Sequence, residues 1–269
     1  MAVSAAAVWA ATASASFAEP SLHGFADISV KTDYITPRGL HVVDDGATIQ
    51  YLNGLVLAFD KVSLVGGIWT DFNPGYNKSE NSEAFNEFDW FVGADYKVTD
   101  KLKVGVQYVE FISPQNAFDT EKNVEFSVNY SDSLKPISIN PYAKLFWAID
   151  GDSTVVLGKK GDTFDVEIGA VPTYQFEGGF PLTVSAPTCN TVGPEEYRGG
   201  DENVGVFSTG LKLSHPLSFM PKGAGNWSVY GGYQHYFFIN DNLKTARTIL
   251  TGQTGKDDGI WSLGLSMGF

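Results

Sequence analysis

Residues 261–269 read WSLGLSMGF, and their alternation decides how the rest of the chain is read. Trp261, Leu263, Leu265, Met267 and Phe269 share one face of an extended strand, with Ser262, Gly264, Ser266 and Gly268 on the other. Successive side chains of a strand point to opposite sides, so a period of two is the signature of a strand with one apolar face. The same rhythm runs upstream. Phe88, Trp90, Val92, Ala94 and Tyr96 alternate with Glu87, Asp89, Phe91, Gly93 and Asp95, and Val124, Phe126, Val128 and Tyr130 with Asn123, Glu125, Ser127 and Asn129. An all-β, antiparallel chain follows.

Alternation alone does not separate a soluble sandwich, apolar inside, from a membrane barrel, apolar outside. No apolar run reaches the roughly 18 residues of a membrane helix, and mean hydropathy is −0.08. Yet aromatics are 14% of the chain and 29 of its 269 residues are Gly, as expected where only every second strand residue meets lipid and aromatic girdles mark both interfaces. A final Phe with apolar residues at alternate positions before it also resembles the signal read by the outer-membrane barrel assembly machinery. Trp261, Leu263, Leu265, Met267 and Phe269 are the residues that carry it. Residues 1–18 are uncharged, rich in Ala, Val, Ser and Thr, and end Ser16-Phe17-Ala18. Small residues at −3 and −1 fit a cleavable signal peptide, although the basic start is missing. The expectation is a transmembrane up-and-down β-barrel over 19–269, in the outer membrane of a Gram-negative bacterium, amid outer-membrane lipid and lipopolysaccharide.

Twelve strands are expected, near 24–36, 46–59, 61–72, 86–98, 102–113, 122–132, 137–150, 163–176, 179–187, 202–214, 226–240 and 257–269. Their connections alternate long and short, as in barrels with long loops on one side of the membrane and tight turns on the other. Long polar loops fall at 73–85, 151–162, 188–201 and 241–256. The strand at 179–187 is the weakest, being interrupted by Pro181 and closed by Pro187, and losing it would leave ten strands. The single Cys189 then lies in a loop.

A net charge of −13 argues against nucleic acid as a partner, since phosphate binding needs clustered Lys and Arg. No metal or cofactor motif is present, and no catalytic residue is assigned. A barrel lipid hydrolase would need a His beside a Ser nucleophile. Among His23, His41, His215 and His235, only His235 is mid-strand; its neighbours are aromatic and no Ser or Thr flanks it at a spacing of two. His41 with Asp44 and Asp45 is a faint echo of an omptin-like protease. Acidic pairs at Asp44-Asp45, Asp150 with Asp152, Glu195-Glu196 and Asp257-Asp258 lack EF-hand spacing and read as solvated loops.

The polar faces remain. Alternation turns Asp27, Lys31, Asp33, Glu87, Asp89, Asp95, Lys103, Glu125, Lys144, Asp165, Glu167 and Lys212 inward, eight acids to four bases. Such charges either line a water-filled path and favour cations or pair into a plug that closes a narrow barrel. Twelve strands leave little bore, because about eight are filled by side chains and about 16 leave an open channel. The expected function is a porin-like channel, without a chemical step, for small hydrophilic solutes with a mild cation preference. The alternatives are a non-conducting adhesion barrel acting through 73–85 and 241–256, and a lipid hydrolase centred on His235.

Residues 29–39, SVKTDYITPRG, followed by Asp44, Asp45 and Ile49-Gln50, resemble the opening of the TorF family of porins. In that family a first strand reading SDY-x-x-RG precedes an acidic loop. Asp33, Tyr34, Arg38 and Gly39 match; Thr32 stands where Ser is usual, and Thr36-Pro37 before Arg38 add one residue. The match covers about 30 residues of the 269. It implies an outer-membrane barrel of about this size and transfers no substrate. Taken by themselves, Tyr34 and Arg38 read as a girdle aromatic and a rim arginine.

Overall fold

The computed structural model describes residues 19–43, 46–74, 84–132, 134–150, 162–176, 178–199 and 202–269. The expected signal peptide and Asp44, Asp45 and Asp152 lie outside them. The wall begins with β1 (Ser21–Lys31). A hairpin, β2 (Tyr34–Ile35) with β3 (His41–Val43), then leaves the wall, which resumes in β4 (Thr48–Ala58), β5 (Val62–Phe72), β6 (Phe85–Lys97), β7 (Leu102–Ile112) and β8 (Glu121–Tyr130). Three wall strands come in two pieces each: β9 (Ile137–Ser138) with β10 (Pro141–Asp150), β11 (Thr163–Ala170) with β12 (Thr173–Phe176), and β13 (Leu182–Ser185) with β14 (Thr188–Val192). Helix α1 (Glu195–Arg198), β15 (Val204–Pro216), β16 (Asn226–Phe238), helix α2 (Asp241–Thr251) and β17 (Asp257–Gly268) complete the chain.

All wall pairings are antiparallel between sequence neighbours, and β17 pairs with β1 to close a barrel of twelve strands. Closure leaves no free sheet edge, the condition for placing strands in lipid. The continuous wall strands hold 10 to 13 residues, enough to cross a bilayer when tilted.

The register shows which face is which. Ser29, Gln50, Asp71 and Glu87 follow one another across β1, β4, β5 and β6 and are all buried. Residues of the opposite parity on the same strands, including Val30, Leu55, Leu64 and Val92, are exposed. The exterior is therefore apolar and the interior polar, the inverse of a soluble barrel and the arrangement of a membrane-spanning one. Trp147, Phe164, Phe207, Phe237 and Trp261 lie on the outer face towards one end of the barrel, and Tyr96, Tyr130, Phe176 and Phe269 towards the other.

The ninth wall strand departs from expectation. It occupies 182–192 rather than 179–187, so Cys189 is a strand residue facing the lumen and not a loop thiol. The physical reason lies in Pro172 and Pro187, which supply no N–H to the ladder. Three adjacent strands break at one level, at 139–140, 171–172 and 186–187, and pairing resumes beyond the break. Carbonyls still find donors there: Pro172 O accepts from Ala186 N at 2.8 Å and Pro187 O from Gly210 N at 2.9 Å. Pro187 thus interrupts the strand without ending it.

A second departure is at 241–256, expected as an open polar loop. Its first eleven residues are α2. Asn240 caps it, its side chain accepting from Leu243 N at 3.0 Å, and Gly252 ends it in the left-handed conformation at φ 78°.

Candidate functional site

The first strand ends at Lys31, several residues short of the expected 36, and the chain then turns into the barrel. The turn is written in Thr36-Pro37-Arg38-Gly39. Pro37 presets φ for the second position of a β-turn, and Gly39 takes φ +93° at the fourth. Gly39 N donates to Thr36 O at 2.9 Å and Leu40 N to Thr36 Oγ1 at 3.1 Å. A Cβ at Gly39 would come within 3.0 Å of Val206 and 3.2 Å of Leu243, so the hairpin tip is seated against both β15 and α2.

This hairpin and the two helices fill the long-loop mouth. Ile35, Tyr197, Val206, Phe238, Leu243 and Ile260 pack as one buried apolar cluster. Around it stand three arginines, each on a plug segment and each facing a wall carboxylate. Arg38 reaches Glu121 at 3.4 Å and is flanked by the rings of Phe111 and Phe146 at 4.9 and 5.2 Å. Arg198 of α1 pairs with fully buried Asp165. Arg247 of α2 pairs with Asp258 at 2.5 Å and donates from Nε to His41 Nδ1 at 3.1 Å. Planar guanidinium suits such sites, since it forks towards carboxylates and stacks on rings. Burial disfavours the Arg38 cation, but the fields of Tyr197, Glu121, Glu125 and Asp165 outweigh it and raise its pKa. Burial and Glu87 likewise hold the Tyr34 phenol well above its ordinary pKa, so it stays a neutral donor to Glu87 at 2.9 Å.

Below the plug lies a lumen cavity of about 520 Å³, within the range of small-ligand sites. Lys31, Asp33, Glu87, Asp89, Glu167 and Lys212 are among its lining residues. Towards the short-turn end, a space of about 140 Å³ is bordered by Asp95, Glu125 and Lys144. Aromatic rings lie flat across inward glycines in this half. A Cβ on Gly169 would fall 2.6 Å from the Tyr142 ring, and one on Gly264 would fall 2.3 Å from that of Tyr230.

The residues expected to face inward divide between the two ends. Asp165 is a plug anchor with no solvent exposure rather than a free lumen charge. Asp33 lies in the plug loop, not in a strand, with Oδ1 3.6 Å from His41 Nε2. Asp27, Lys31, Glu87, Asp89, Glu125, Lys144, Glu167 and Lys212 have inward positions in the register. Lys103 and Asp95 pair at 3.0 Å on the same inner face at the short-turn end. Trp261, Leu263, Leu265, Met267 and Phe269 are on the outer face or at its end. Tyr34 and Arg38 are neither girdle nor rim: both are buried within the mouth. His41, fully buried between Asp33, Asp258 and Arg247, is not an exposed member of a protease rim. His235 faces outward, its Nδ1 2.8 Å from Tyr233 Oη and its Nε2 3.6 Å from Asp257.

Several site residues carry no mark that alternation could find. Arg198 and Arg247 enter from segments outside the wall, 33 and 11 residues from their partners Asp165 and Asp258, spacings that alternation does not link. Asp71 was legible, since it follows the inward parity of β5. Glu121 falls one residue before the expected start of its strand. The helix around Leu243, Ala246 and Arg247 had a readable signal in its Asn240 cap and Gly252 stop.

No protein-family model matches the chain, and no curated protein matches it. Solved structures do. The NanC porin superposes at a TM-score of 0.54 with 10% identity, covering 90% of this chain and 98% of the other. The COG4313 outer membrane channel from Pseudomonas putida F1 gives 0.50 and 11%, covering 92% and 95%. LpxR from Salmonella typhimurium, at 10% identity over 90% and 99%, reaches only 0.46, too low to bear on chemistry. At these identities the likeness is one of fold. This chain has the fold of outer-membrane β-barrels.

Proposed function

We propose that the chain is a porin-like outer-membrane channel, through which small hydrophilic solutes diffuse passively past a plug that narrows one mouth. The observation that carries this reading is the inverted barrel, with apolar residues outside and a polar, charged lumen that keeps a cavity of about 520 Å³. The fold shared with the NanC porin and the COG4313 channel supports it, as does the resemblance to TorF-family porins, whose matching residues build the plug. Asp27, Asp89, Glu125 and Glu167 on the inner wall support a mild preference for cations. On this reading residues 1–18 are a signal peptide removed on export, and the outer face of β17 is read by the barrel assembly machinery.

Single-channel conductance of the chain from Glu19, refolded into a planar bilayer under a salt gradient, tests the proposal. Discrete steps with a cation-selective reversal potential are expected. A folded barrel that never conducts overturns the channel reading.

A further inference from the structure

Lys31 and Lys212 lie in one transverse row of the wall, joined through Ser262 and Gly232: Lys212 is opposite Gly232, Gly232 opposite Ser262, and Ser262 opposite Lys31. The two residues between them are small, so nothing in the row fills the space in front of the ammonium groups. All four border the cavity. Among the described residues, no carboxylate lies within 4.0 Å of either lysine. The acids whose fields reach Lys31 are Asp71 and Asp27, and both are occupied by neutral donors. Asp71 accepts from Thr48 at 2.5 Å, Gln50 at 3.0 Å and Asn86 at 2.8 Å, and Asp27 accepts from Tyr230 at 2.8 Å. Lys212 rests 3.6 Å from the centre of the Tyr230 ring, which steadies its stem without using its N–H donors.

The contrast with the mouth is what points to a ligand. Each arginine of the plug has a carboxylate, whereas these two lysines face the cavity with six N–H donors and no acid in contact. Buried or half-buried charges are ordinarily paired. We infer that Lys31 and Lys212 form a subsite for the acidic group of a small solute, a carboxylate or a phosphate, held between the two ammoniums. The inference deepens the channel reading and rests on it for the solute's route. It also runs against the general acidity of the lumen: small cations pass the wall carboxylates, while an acidic solute is retained at one place.

Cys189 makes the subsite testable without measuring current. It is the only cysteine of the chain and it borders the same cavity, so a small neutral reagent, methyl methanethiosulfonate, reports access to that space in detergent micelles. Acetate and inorganic phosphate are the probes. For a site of ~1 mM affinity, ~10 mM anion leaves about a tenth of the cavities free, so labelling of the wild type slows about tenfold. Lys31→Gln with Lys212→Gln abolishes this protection, and Lys212→Arg alone retains it; heat-modifiable gel mobility confirms that each variant is folded. Protection by both anions assigns the subsite to carboxylates as well as phosphates, and protection by phosphate alone restricts it to phosphate-bearing solutes. Labelling that neither anion slows, or that both slow equally in the double variant, overturns the subsite whether or not the barrel conducts. A protected barrel that never conducts overturns the channel and leaves the subsite standing.

Discussion

The two halves of the lumen are held together in different ways. At the long-loop mouth, chain from three distant segments meets the wall, and every arginine it brings finds a carboxylate: Arg38 with Glu121, Arg198 with Asp165, Arg247 with Asp258. At the short-turn end, among the described residues, nothing enters the barrel from a loop. The wall fills its own interior by laying rings over glycines, as Tyr142 does over Gly169 and Tyr230 over Gly264; Lys144 and Lys212 lie over those rings, and the one acid–base pair there, Lys103 with Asp95 among the described residues, is half-exposed. The difference teaches that lumen charge has two separate uses, structural where it is paired and dry, and available to solutes where it is not.

The strongest way to break this comparison is to remove the plug. Replacing residues 34–43 with a short Gly-Ser link is expected to raise single-channel conductance severalfold while the barrel still folds; unchanged conductance would mean that the hairpin is not the constriction. Next in size is Arg38→Ala. It removes the cation that faces Glu121, which keeps its bond from the Asn123 amide at 2.7 Å, and empties the space between Phe111 and Phe146, at a cost of about 3–5 kcal/mol, the usual penalty for breaking a buried pair. The urea midpoint of refolded barrel should fall accordingly, and Arg38→Met with Glu121→Gln should recover much of it. Gly39→Val should cost about 1–3 kcal/mol, because the new side chain meets Val206 and Leu243 in a conformation that L-residues avoid. At the other end, Lys103→Ala breaks a half-exposed pair with Asp95 and should change stability by less than about 1 kcal/mol. A loss as large as that from Arg38→Ala would erase the distinction between the halves.

The smallest effect belongs to a turn. Asp132 accepts from the backbone N–H of Asn140, Ile139 and Leu134, and these bonds hold its carboxylate below the ordinary range. A carboxyl depressed in the folded state stabilises above its unfolded pKa and loses that contribution as pH falls through the folded one. The acid limb of the stability profile should therefore flatten slightly in Asp132→Asn, a difference that melting curves between pH 2 and 5 would register.

The barrel was legible because its information is local. Alternation in β6, β8 and β17 needs only neighbours two apart, and the long–short rhythm of the loops needs only their lengths. The count of twelve and the inward parity of residues such as Glu87, Glu125 and Lys212 followed from that alone. The mouth was not legible for the opposite reason. Arg247 and His41 are 206 positions apart, and no periodicity links them. Tyr34 and Arg38 resemble ordinary interface residues until the Thr36–Gly39 turn sends them inward. Cys189 was misplaced because a proline inside a strand reads as a strand's end, when in this wall three neighbouring strands share the break.

That separation of 206 positions has a consequence for how the protein is made. The first hairpin emerges early, but the partners that pin it, Leu243 and Arg247, emerge nearly last, and contacts so far apart in sequence form slowly. A barrel whose wall has closed ahead of its plug is a tube with its widest mouth unguarded. Closure of the wall joins residues further apart still, Phe25 of β1 with Gly268 of β17, so the order in which wall and plug are completed decides whether a copy passes through that open stage.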